Sequence, residues 1–193
     1  MNINYKYEKH ISNKQIAIGG VLLAIMIVSQ CFKNLSVYIT GPIVNAVLVI
    51  VTLTLGLVMG IIFSVIAPIT AFFITGSPVI AAAPFLMIPA IAIGNIIMCI
   101  AVYVFYRHIK NKLIGLPIGL VVGSVLKALF MSAVISNFIL PTFCTSLPEK
   151  AIGIAQKTFS VVQLITALIG SAIVMLIWIP AGKYLVQSAK ENN

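Results

Sequence analysis

Five stretches of the chain are almost free of charge and far longer than a buried strand requires. Four of them, Gln15 to Phe32, Pro84 to Tyr106, Leu113 to Leu140 and Thr158 to Leu185, are bounded by polar or Pro/Gly-containing sequence. Each matches the roughly 20 apolar residues that a membrane-spanning helix needs. The fifth, Pro42 to Thr75, holds 34 residues. As a single helix it would extend about 51 Å, too long for a hydrocarbon core of about 30 Å and tight for two full crossings.

The basic residues resolve that ambiguity. Lys6, Lys9 and Lys14 precede the first apolar stretch, and Arg107, Lys110 and Lys112 lie between the third and fourth. Positive charge collects on the cytoplasmic side, so an even number of crossings separates the two groups. Pro42 to Thr75 is therefore expected to be two short spans turning near Gly56 to Gly60. The expected architecture is all-α: one integral-membrane domain over residues 1–193, a six-transmembrane-helix bundle with spans at 15–32, 42–57, 58–75, 84–106, 113–140 and 158–185. Lys183 and Lys190 place the C-terminus in the cytoplasm with the N-terminus. Outer loops are expected at Lys33 to Gly41, Gly76 to Ala83 and Pro141 to Lys157. Lys33, Lys150 and Lys157 then fall outside, against the rule, with Glu149 beside the last two. The opening MNINYKYEKHISNK reads as an uncleaved cytoplasmic tail, since the apolar run after it lacks a small-residue cleavage site.

Composition agrees with this pattern. Hydrophobic residues make up 61% of the chain and charged ones 8%, with a mean hydropathy of +1.17; ordinary soluble domains are about 25% charged. The net charge of +9 is dispersed over segment ends, which is topology signalling and not the continuous basic stripe of a nucleic-acid binder. Cys31, Cys99 and Cys144 are an odd set without CxxC or metal-like spacing and are expected to pack as small apolar residues.

Within the spans, Lys127 is the exception. A charge in hydrocarbon costs roughly 3 kcal/mol on insertion scales and normally has a partner or a wet cavity. The chain has no Asp, and its three Glu, at 8, 149 and 191, all lie outside the spans. Either the lysine stem snorkels to an interface or packs neutral, or its ammonium faces an aqueous pocket and pairs with a carboxylate or phosphate carried in by a ligand. The second reading makes Lys127 the centre of a site that Asn95, Asn137 and Gln163 complete, each amide offering both donors and acceptors. Taken singly, each amide, like Asn45, is better explained by an interhelical hydrogen bond of about 0.6 kcal/mol. Tyr38, in the first expected outer loop, would cover the ligand.

What is missing narrows the function. Without a carboxylate in any span, a proton relay or carboxylate-based sodium site is hard to build. No GxxxxGK[ST] sequence occurs, so nucleotide hydrolysis by that route is excluded. Aspartyl proteolysis has no Asp to use, and His10 and His108 lie in expected cytoplasmic segments. The chain is therefore expected to be no enzyme, to use no cofactor and to hold no metal. Trp178, Tyr184, Tyr103 and Tyr106 fall near the expected inner face, where aromatic anchors collect. Small residues recur four apart at Gly20 and Ala24, at Gly56 and Gly60, and at Gly115, Gly119 and Gly123. Such pairs let helices approach closely, which makes internal packing the first account and a partner-facing surface the alternative.

Six spans with both ends inside, short second and third spans and a small-residue pair in the first resemble a substrate-binding (S) component of an energy-coupling-factor (ECF) transporter. The segments GPIVNAVLVIVTLTLGLVMGIIFSVIAPITAFFITG and PFLMIPAIAIGN are the most similar to the apolar core of those vitamin-uptake subunits, and the likeness covers nearly the whole chain. The resemblance implies a prokaryotic plasma-membrane subunit that captures a vitamin or related organic micronutrient from outside. It also implies association with a transmembrane coupling protein and two ATPase subunits, with toppling in the bilayer to deliver the solute. Gly20 and Ala24 would face the coupling protein, glycine standing where the family often has alanine. By position, Asn95, Lys127, Asn137 and Gln163 would line the pocket. The nickel and cobalt branch uses an N-terminal Met-His site, whereas this chain begins Met1-Asn2-Ile3, which disfavours a metal substrate. Lys127 favours an anionic or carboxylate-bearing nutrient, with neutral pyrimidine or pyridine compounds still open. The competing readings are a self-sufficient facilitator or small secondary carrier, and a non-transport membrane scaffold.

Overall fold

A long apolar run becomes helices of defined length only where something stops it. In the computed structural model, which describes residues 12–32 and 36–190, the stops are side-chain caps and glycines. The elements in order are α1 (Asn13–Cys31), α2 (Val37–Thr54), α3 (Leu57–Thr75), α4 (Pro78–Ala82), α5 (Pro84–His108), α6 (Lys112–Met131), a π-helical segment (Ser132–Ile139), α7 (Leu140–Phe143), α8 (Glu149–Lys157), a second π-helical segment (Thr158–Val162) and α9 (Gln163–Lys190). No strand occurs among the described residues, and six helical stretches are long and apolar enough to cross a membrane. The chain is thus an all-α, six-helix membrane bundle. Lys6, Lys9, His10 and Lys33 lie outside the described residues, as do Glu8 and Glu191.

Local signals account for the boundaries. Ser12 and Gln15 form a reciprocal capping box at the start of α1. Ser36 caps α2, its Oγ accepting from Tyr38 N at 3.2 Å, so the second span begins at Val37 and not at Pro42. Tyr38 is therefore helical, and the expected outer loop at 33–41 is shorter than anticipated. The turn between the second and third spans falls at Leu55 and Gly56, where Gly56 takes φ +98°, a backbone conformation that side chains disfavour. Beyond it Gly60 sits so close to Thr52 that a Cβ would collide with the hydroxyl-bearing side chain. At the C-terminus of α5 the Lys112 ammonium donates to the carbonyls of Tyr106, Arg107 and Ile109 at 2.6, 3.0 and 3.1 Å. It satisfies acceptors that a helix end leaves open. The expected loop at 141–157 instead contains α7 and the short, charge-ended α8.

α2 is the central helix. Every residue from Asn45 to Thr52 is buried, a continuous run that only surrounding helices produce. Its most extensive partner is α9, where a Cβ on Gly170 would lie 2.7 Å from Pro42 O and 2.9 Å from Asn45 Cβ. The other dominant pair is α5 with α6, joined along Gly115, Gly119 and Gly123. This glycine series is internal packing.

A Cβ on Gly119 would meet Phe105 Cβ at 3.0 Å and the Val102 backbone Cα at 3.1 Å. Gly119→Leu must push two helices apart and is expected to cost at least about 1–3 kcal/mol. The loss is measurable as a lowered unfolding midpoint in detergent. Gly20→Leu is the control, since nothing lies within 4 Å of a Cβ there, and its midpoint should be unchanged.

Trp178 departs from the expected interfacial role. It is 7% exposed, packs edge-on to Tyr106 with ring centroids 6.1 Å apart, and fills the space beside Gly182, whose Cβ would lie 2.9 Å from the indole. Tyr184, by contrast, is exposed, and Tyr103 accepts a hydrogen bond from Arg107 Nη1 at 2.7 Å.

Candidate functional site

Lys127 lies in the fifth turn of α6. It is 1% exposed, and its Nζ donates to Asn45 Oδ1 on α2 at 2.6 Å. Snorkelling is thereby ruled out, because the side chain points inward to another helix and reaches no surface. The close approach of α9 to α2 at Gly170, and of Thr166 to Gly41, holds the Asn45 backbone. An amide oxygen stabilises an ammonium through a charge-assisted bond. It does not neutralise it.

Beside this pair is a cavity of about 130 Å³. Its polar lining comes from Gln30, Thr40, Asn45, Asn95, Lys127, Thr158 and Gln163, and its apolar lining includes Val44, Pro68, Ile91, Met131 and Phe159. These residues come from the end of α1, the start of α2, the later part of α3, the first half of α5, the later part of α6, the second π-helical segment and the start of α9. In an alternating bundle those are the helix portions furthest from the start of α1 and the end of α9. The cavity therefore occupies the half of the bundle away from those two helix ends.

Several polar side chains around it are held by the bundle. Asn95 Nδ2 donates to Ser64 O at 3.4 Å, and Ser64 Oγ donates to Gly60 O at 2.7 Å within α3. Ser124 and Ser171 share a hydrogen bond at 3.1 Å on the side of Lys127 toward the termini. On the far side, α8 is tied to the first π-helical segment: Ser136 Oγ donates to Gln156 O at 2.9 Å, and Gln156 Nε2 donates to Ser136 O at 3.1 Å. That reciprocal pair fixes where α8 enters the second π-helical segment, whose first residues, Thr158 and Phe159, line the cavity. Single-turn π widenings of this kind recur at functional sites.

The structure brings together three of the five binding residues expected from sequence: Lys127, Asn95 and Gln163 line one cavity. Asn137 does not join them. It is exposed, on the outer side of the first π-helical segment. Tyr38 is also exposed and does not line the cavity, whereas its neighbours Val37 and Thr40 do. The extra polar residues at the site are Gln30, Thr40, Asn45 and Thr158. Gln30 was legible as the one amide in the last turns of an otherwise apolar first span. No group of three His, Cys, Asp or Glu that could hold a metal occurs among the described residues.

Comparison with known proteins returns no matching family model, no matching curated protein and no matching solved structure. What the fold and site define is a class: a multi-pass helical membrane protein with a small cavity between its helices, carrying one amino group and several amides.

Proposed function

We propose that this chain is the substrate-capture subunit of an ECF-type ABC importer in a prokaryotic plasma membrane. In this reading it binds a vitamin or related organic micronutrient from the extracellular side and delivers it with a coupling protein and two ATPase subunits. The observation that carries the proposal is the buried Lys127 amino group at the wall of a small cavity, with Asn45 as its partner and no carboxylate among the lining residues. A solute carboxylate or comparable acceptor would supply the missing negative charge.

Two further features support the reading. With the termini cytoplasmic, as the basic residues Lys14, Arg107, Lys110, Lys112 and Lys183 favour, the cavity belongs to the extracellular half. Gly20 and Ala24 are exposed on α1 and leave a small-residue face for the coupling protein.

The test is reconstitution. The chain alone in nanodiscs should bind small organic acids, and proteoliposomes should accumulate the bound acid only when coupling protein, ATPases and ATP are present. Uptake by the chain alone would make it a self-sufficient facilitator and reject the subunit role. The absence of any ligand-induced thermal shift would leave a membrane scaffold.

A further inference from the structure

Gln30 sets a requirement that Lys127 does not. Its Nε2 donates to Ala67 O at 3.0 Å. Two acceptor oxygens facing each other at that distance would repel, so the amide nitrogen faces the carbonyl and Oε1 is turned away from it. Oε1 is buried and has no hydrogen-bond partner, the one such side-chain atom found among the described residues. The residue as a whole is 3% exposed and lines the same cavity as Lys127. A buried acceptor without a donor costs about 1–3 kcal/mol, more than a typical hydrogen bond returns. A bundle that keeps one at its polar cavity is short of a donor there.

The two groups have opposite demands: Lys127 donates and Gln30 accepts. The cavity volume of about 130 Å³ is close to the roughly 150 Å³ that admits a benzene molecule. Its apolar lining, including Val44, Ile91 and Phe159, suits the faces of one flat ring. We infer that the site takes a compact, bifunctional solute: a single-ring heterocycle carrying an acidic group for Lys127 and a ring N–H for Gln30. A single ring is the portion of a solute that this volume accommodates. This inference rests on the cavity being a solute site, as proposed above.

The experiment uses the full chain in nanodiscs and two parent probes, pyrrole-2-carboxylate and pyrrole-3-carboxylate, each with its N-methyl and methyl-ester derivative. At least one parent acid should bind. Methylating its nitrogen should weaken binding by about tenfold, the worth of one hydrogen bond, and esterifying its acid by at least as much. In Gln30→Met the N-methyl penalty should vanish while the ester penalty persists. Ala67 O is not stranded in that variant, because Thr70 Oγ1 also donates to it at 3.1 Å. In Lys127→Met the ester penalty should vanish instead. The probe comparison on the unmodified chain stands even if a variant folds poorly.

Equal binding of the parent and N-methyl acids, or an N-methyl penalty that survives Gln30→Met, would overturn the inference and leave the solute site intact. Binding of fused-ring acids in preference to both parents would overturn it too. If no small acid binds the chain at all, the solute-site reading fails first and takes this inference with it.

Discussion

Lys127→Met is expected to lower affinity for a small ring carboxylate by at least about 100-fold while leaving the helical bundle folded. Truncating one partner of a buried charged pair costs about 2–5 kcal/mol, and 100-fold corresponds to about 2.7 kcal/mol. Methionine matches the lysine stem in length and suits a cavity wall that already includes Met131 and Ile91, so the loss should fall on binding and not on the fold. Titration of the probe acid into nanodiscs, with a melting curve of the solute-free variant beside it, separates the two. An unchanged affinity would show that the amino group does not meet the solute.

Asn45→Leu is expected to be the most damaging single change to the solute-free protein, at about 3–5 kcal/mol. That is the cost of leaving a buried charge without its partner. In the native bundle the Lys127 amino group is held by Asn45 Oδ1 at 2.6 Å, and leucine removes that acceptor without opening a large hole. The physical test of this account is rescue. Adding Lys127→Met to Asn45→Leu replaces both partners with apolar groups of similar shape, which is close to neutral. The double variant should therefore be more stable than Asn45→Leu alone, by equilibrium unfolding in mixed micelles. If Asn45→Leu costs under about 1 kcal/mol, the amino group is solvated through the cavity and Asn45 is dispensable.

How far the site was readable depended on the residue. Lys127 announced itself because a charge within a long apolar run has few structural excuses. Asn95 and Gln163 were legible as amides at suitable depth, and both line the cavity. Asn137 had the same credentials and faces outward. One residue of helix corresponds to about 100° of rotation, and a π-helical segment shifts that phase further. Nothing in an amide's sequence position reveals the phase. Tyr38 was misplaced for a different reason: Ser36 caps the helix earlier than the apolar pattern begins. Trp178 was assigned to the interface from depth alone, whereas a glycine one turn later makes room for it in the core.

Chain length, the rarity of charge and the placement of Lys and Arg were sufficient to determine a six-helix membrane bundle, its approximate spans and the presence of one anomalous amino group. Hydrocarbon exacts a large cost for every unpaired backbone group and every charge, so these features are written in one dimension. The sequence could not determine which face of each helix looks inward, because lipid is as apolar as a protein core and hydrophobicity no longer marks the inside. Tertiary packing decided that. The close approach of α9 to α2 at Gly170 and the orientation of α6 set Lys127 against Asn45 and left the Gln30 oxygen without a donor beside a ring-sized cavity.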